Sequence, residues 1–73
     1  MWVYVFDESI PTYGKDGKKF LLNLYCKKYY GHDVAENYEV VTGIWDSLNE
    51  CFYEEKTHME IDNRDIVEWW KDV

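Results

Sequence analysis

The sequence predicts an α+β fold: a small antiparallel sheet of two or three strands packed against one amphipathic helix, with a short C-terminal helix. Three observations lead there. The first thirty residues hold two runs of alternating apolar residues around an Asp-Gly turn, residues 37–55 carry apolar residues at spacings of three and four, and a capping motif precedes the last ten residues. The chain has 73 residues, 47% of them hydrophobic and 19% aromatic, which is a composition for folding and not for disorder. That length leaves room for a single domain spanning residues 1–73.

Taken in order, Trp2-Val3-Tyr4-Val5-Phe6 joins aromatic to β-branched residues and reads as the first strand, ended by Asp7-Glu8-Ser9. Pro11 has no N–H for a ladder, so residues 8–13 read as loop or sheet edge. Gly14-Lys15-Asp16-Gly17 predicts a reversal, because Asp and Gly tolerate positive φ. Phe20 to Tyr30 reads as a second strand antiparallel to the first, with Leu22, Leu24 and Cys26 on one face and Leu21, Asn23 and Tyr25 on the other. Gly31-His32-Asp33 is the turn that closes it.

From Asn37 to Glu55 the spacing changes. Val41, Ile44, Trp45, Leu48 and Phe52 fall on one side of a helical wheel, and Glu36, Glu39, Asp46, Glu50 and Glu54 fall on the other. Val40-Val41-Thr42-Gly43 is the weak point of that helix, and a strand at 38–42 followed by a shorter helix is the alternative. Thr57 to Ile61 reads as a short third strand. Asp62 or Asn63 then caps a helix to about Asp72, with Ile66, Trp70 and Val73 on one face and Val67 and Trp69 on its flanks.

Charge narrows the function classes. The net charge of −7 is uneven: residues 1–30 hold five lysines against Asp7, Glu8 and Asp16, while residues 31–73 hold Lys56, Arg64 and Lys71 against twelve acids. An acidic surface repels phosphate backbones, so direct nucleic-acid binding is not expected and a protein partner with a basic surface is. No apolar run has the length of a membrane span or a signal-peptide core, which predicts a cytoplasmic chain whose Cys26 and Cys51 are reduced thiols.

Motifs for catalysis are missing. The sequence has no Gly-rich phosphate loop, no Gly-x-Ser-x-Gly elbow, no His-Glu-x-x-His and no CxxC pair, so no enzyme activity and no cofactor are expected. Cys26, His32, Cys51 and His58 have the residue types of a zinc set, but their spacing lacks the close ligand pairs of zinc modules, and no metal site is expected. The acids of Asp62-Asn63-Arg64-Asp65 are accounted for by capping.

The predicted partner-binding residues are therefore Glu36, Glu39, Asp46, Glu50 and Glu54 on the helix, with Tyr53 and Trp69 as aromatic contacts. Such a stripe suggests a nucleic-acid mimic, yet duplex DNA carries one charge per ~1.7 Å. Over the ~22 Å of helix from Glu39 to Glu54 DNA would place about thirteen charges, so the stripe is sparse. In size, acidity and aromatic content the chain resembles in type the small inhibitors encoded by bacteriophages and mobile elements. The alternative is a homo-oligomeric structural module in which strand edges or the Trp69–Trp70 helix form a symmetric interface.

Overall fold

The computed structural model describes residues 1–72 and is built from strands. Six of them, β1 (Trp2–Tyr4), β2 (Lys19–Tyr30), β3 (Asp33–Asp46), β4 (Cys51–Glu54), β5 (Glu60–Ile61) and β6 (Ile66–Trp70), form one antiparallel sheet in the order β1-β6-β2-β3-β4-β5. A 3-10 turn at Asn63–Asp65 is the one helical element among the described residues. The predicted α+β class is thus corrected to all-β, and neither predicted helix forms.

Residues 37–55 show why. Their helical spacing competes with a period of two in which Val41, Gly43 and Trp45 face inward, carried by the β-branched residues Val40, Val41, Thr42 and Ile44. β2 offers a partner along its whole length, with a register that runs from Lys19 opposite Ile44 to Tyr30 opposite Asp33. Non-local pairing outweighs a helix propensity already lowered by those residues. The strand alternative at 38–42 lies within β3, but the shorter helix after it is a turn and β4. Leu48, assigned to the apolar helix face, is 90% exposed in that turn.

The turn has its own chemistry. Asp46 accepts hydrogen bonds from the backbone N–H of Leu48 and Asn49 and from the Asn49 side chain, and Glu50 closes the reversal at φ 52°. At the other end of β3, Gly31 takes φ 62° at the first central position of a two-residue hairpin turn, as a type II′ turn requires.

The C-terminal segment is likewise a strand. Asp62 does cap, since its side chain accepts from the Arg64 backbone N–H, but the capped element is only the 3-10 turn. Ile66-Val67-Glu68-Trp69-Trp70 then runs between β1 and β2, so the expected direct pairing of the first two strands is replaced by a shared neighbour. Val73, predicted to share a helix face with Ile66 and Trp70, lies outside the described residues.

Geometry forces the sheet to curl. β5 and β6 sit four places apart, which in a flat sheet at ~4.8 Å per strand means ~19 Å. The link from Ile61 to Ile66 reaches at most ~18 Å fully extended, and part of it is wound into the 3-10 turn. Curling gathers Phe20, Leu22, Val41, Phe52, Ile61, Ile66 and Trp69 into one buried cluster on the inner face, flanked by Val3, Val5, Ile10, Leu24 and Trp45. Phe52 meets Phe20 edge-on at 5.8 Å and Trp45 at 4.9 Å between ring centroids.

Beyond that core the β2–β3 hairpin continues as an arm. β6 pairs with β2 only at Leu22 to Leu24, and β4 pairs with β3 only from Gly43 to Asp46. The arm gives the molecule its long dimension of 44 Å.

Candidate functional site

The strands scatter the predicted acidic stripe. Alternation along β3 sends Glu36 and Asp46 to the outer face and Glu39 to the inner one, Glu50 sits in the turn, and Glu54 ends β4. Several of these carboxylates serve local structure: Glu54 accepts from the Thr57 hydroxyl at 2.9 Å, and Asp46 is held below the usual carboxylate range by the Asn49 side chain and the backbone N–H groups around it. Glu36 stands beside Tyr25 and raises the pKa of its hydroxyl.

The two predicted aromatic contacts separate. Trp69 is 4% exposed and its indole Nε1 donates to the Glu8 carbonyl at 2.8 Å, so it belongs to the core and offers no surface. A Trp69–Trp70 interface between two copies loses its first member for the same reason. Tyr53 is half-buried on the outer side of β4 opposite Ile44, its hydroxyl pKa raised by Cys51 beside it and by burial.

The four residues with zinc-ligand chemistry do not meet. Cys26 pairs with Asn37 on the arm and Cys51 with Asp46 at the other end of β3, nine residues on, a separation of ~30 Å along the strand. His32 lies in the arm turn and His58 in the β4–β5 turn at φ 58°. Both cysteines are free thiols with pKa values raised first by burial, so the less reactive protonated form is favoured.

Asp62 has a more definite ionic partner. The Arg64 guanidinium donates to both of its carboxylate oxygens, and this lowers the Asp62 pKa from 3.8 to about 2. A pKa depressed in the folded state means that the contribution to stability is complete above the unfolded value of 3.8 and is lost as pH falls through about 2. An NMR titration is expected to place the Asp62 midpoint near 2, and Arg64→Ala to return it toward 3.8; a wild-type midpoint already at 3.8 would refute the pair.

The surface that the sequence reading did not find is the outer face of the sheet. In most half-buried sheets the outward positions are polar. Here the register sets Tyr4 opposite Glu68, Glu68 opposite Asn23 and Asn23 opposite Val40, one row across β1, β6, β2 and β3. On one side of that row Trp2 and Trp70 form an edge-on pair at 5.5 Å, with Leu21 beyond them on β2. On the other side Tyr25 and Tyr38 form an edge-on pair at 5.7 Å. Tyr4 is 58% exposed and Tyr38 61%, and beyond the charged Lys27–Glu36 pair the arm carries Tyr29 and Val34 on the same face.

A signal for this face does exist in the sequence. In Trp2-Val3-Tyr4-Val5-Phe6 the valines turn inward to the core and the larger aromatics turn out. Size runs opposite to what core packing alone would select.

Within the outer face lies a cleft of about 620 Å³ lined by Tyr4, Phe6, Asn23, Tyr38, Val67 and Glu68. A β-bulge shapes it: pairing jumps from Asn23–Glu68 to Leu24–Ile66, so Val67 is the extra residue and turns to the same side as Glu68 while Ile66 returns to the core. One carboxylate, that of Glu68, lines the cleft. Glu68 makes no ion pair among the described residues, and the buried Oδ1 of Asn23 has no hydrogen-bond partner. No protein-family model, curated protein or solved structure matches the chain. Among the described residues, no helix is long and apolar enough to cross a membrane.

Proposed function

We propose that the chain is a non-catalytic interaction protein that docks the aromatic outer face of its sheet onto a basic surface of a larger protein. The observation that carries this reading is the row Tyr4–Glu68–Asn23–Val40 with its flanking aromatic pairs, an aromatic surface around a polar centre that folding leaves uncovered. Clustered exposed aromatics with a polar centre mark contact sites, and Trp and Tyr are enriched among binding hot spots. The net charge of −7 supplies long-range attraction to a basic partner, which speeds encounter and makes it salt-sensitive. Where that basic surface is the partner's own nucleic-acid site, docking inhibits the partner.

Affinity capture with the wild-type protein and with a Tyr4→Ser/Tyr38→Ser variant tests the reading. The double substitution is expected to weaken capture of the partner at least about tenfold, the scale of one lost hot spot. Tyr13→Ser, which alters a fully exposed loop residue away from this face, is expected to leave it unchanged. Equal capture by the double variant and the wild type sinks the proposal.

A further inference from the structure

The cleft lined by Tyr4, Phe6, Tyr38 and Glu68 also indicates what it takes. We infer that it is a receptor for an arginine side chain presented by the protein partner. This rests on the docking reading above and names the group that the outer face recognises.

Two features of the cleft converge on a cation. First, Tyr4, Phe6 and Tyr38 supply aromatic faces, whose negative quadrupole attracts a cation seated against the ring. They are available: Phe6 is 94% exposed, and the Tyr38 ring is steadied from the side by its edge-on contact with Tyr25 on the neighbouring strand. Second, Glu68 stands in the middle of the row, between Tyr4 and Asn23, with no cationic partner among the described residues. Of the three ion pairs that do form, Lys19–Glu55, Arg64–Asp62 and Lys71–Glu8, none involves a cleft residue.

Shape and chemistry favour arginine over lysine. A guanidinium is planar, stacks on aromatic rings and matches a carboxylate with two parallel N–H donors, whereas an ammonium is a strongly hydrated point charge. The cleft combines flat rings with a single carboxylate, which suits the first and not the second. Its volume of about 620 Å³ also lies in the range of sites that accept a whole side chain and not a bare ion.

The test uses N-acetyl-arginine amide as probe, with the isosteric but neutral N-acetyl-citrulline amide beside it, titrated into the 15N-labelled wild-type protein and followed by NMR. The arginine probe is expected to shift the Asn23, Val67 and Glu68 amides and the Tyr38 ring signals, with citrulline producing no such shifts. Glu68→Gln is expected to weaken arginine binding about fivefold, from the loss of the charged partner. Equal binding of arginine and citrulline, arginine shifts that fall elsewhere, or an unchanged affinity in Glu68→Gln each overturn the inference. Shifts at the cleft that appear on raising protein concentration without probe would assign the face to a second copy of the chain and overturn it as well. The titration contains no partner, so its failure leaves the capture experiment standing, and a failed capture does not alter the titration.

Discussion

Phe52→Ala is expected to remove a large share of the protein's stability. Phe52 is one of two fully buried large side chains, and it joins the two halves of the core by meeting Phe20 from β2 and Trp45 from β3. Truncating a buried Phe costs about 3–5 kcal/mol, the lost transfer energy together with the cavity that rigid neighbours leave behind. A domain of 73 residues has a total stability of only about 4–11 kcal/mol. The adjacent Tyr53 lies on the outer side of the same strand and is half-buried, so Tyr53→Ala serves as the control, with an expected loss of about 1 kcal/mol. Urea denaturation followed by tryptophan fluorescence separates the two. Equal midpoints for both variants would show that the inner cluster is not what holds the sheet in its curl.

The second large effect is expected from adding atoms. Gly43 is buried on β3 opposite Phe20 and Glu54, and a Cβ built there would stand 2.6 Å from Leu22 Cδ1 and 3.2 Å from both Cβ and Cδ1 of Phe52. Leu22 is fully buried, so its methyl group has nowhere to retreat. A glycine in a strand is normally a weakness of about 0.5–1 kcal/mol relative to alanine, which would make Gly43→Ala stabilising if space allowed. Overpacking costs about 1–3 kcal/mol and decides the sign, so Gly43→Ala is expected to destabilise, and Gly43→Val to do so further. The explanation makes a sharper demand on a double-mutant cycle. Leu22→Ala is expected to cost about 2–5 kcal/mol alone but distinctly less in the Gly43→Ala background, where it relieves the clash. Strict additivity would remove the steric explanation.

Gly43 also shows where sequence reading went astray. As a residue of low helix propensity beside Val40, Val41 and Thr42, it marked the weak point of the predicted helix. Its role as a close-approach point between β2 and β4 depends on strands brought together from elsewhere in the chain, which local spacing does not encode. The faces of β2, its turn at Gly31 and the cap at Asp62 were legible because each is local. Val41, Ile44, Trp45, Leu48 and Phe52 satisfied a helical wheel by coincidence, with Leu48 in a turn and Ile44 on the opposite side of the sheet from Trp45. The candidate surface was less legible still. Glu68, Asn23 and Tyr4 become neighbours only through the insertion of β6 between β1 and β2, and Val67 joins them only through a bulge.

That insertion also orders the events of folding. The β2–β3 hairpin closes over a two-residue turn, so it can form from its own residues within microseconds. β1 has no such neighbour: its only strand partner, β6, begins at Ile66, and Trp2 waits for Trp70. During synthesis β1 therefore stays unpaired, with Val3 and Val5 uncovered, until Ile66–Trp70 has been made. Pairing strands so far apart along the chain is slow, and for that interval the apolar side chains of Trp2–Tyr4 are open to chaperones.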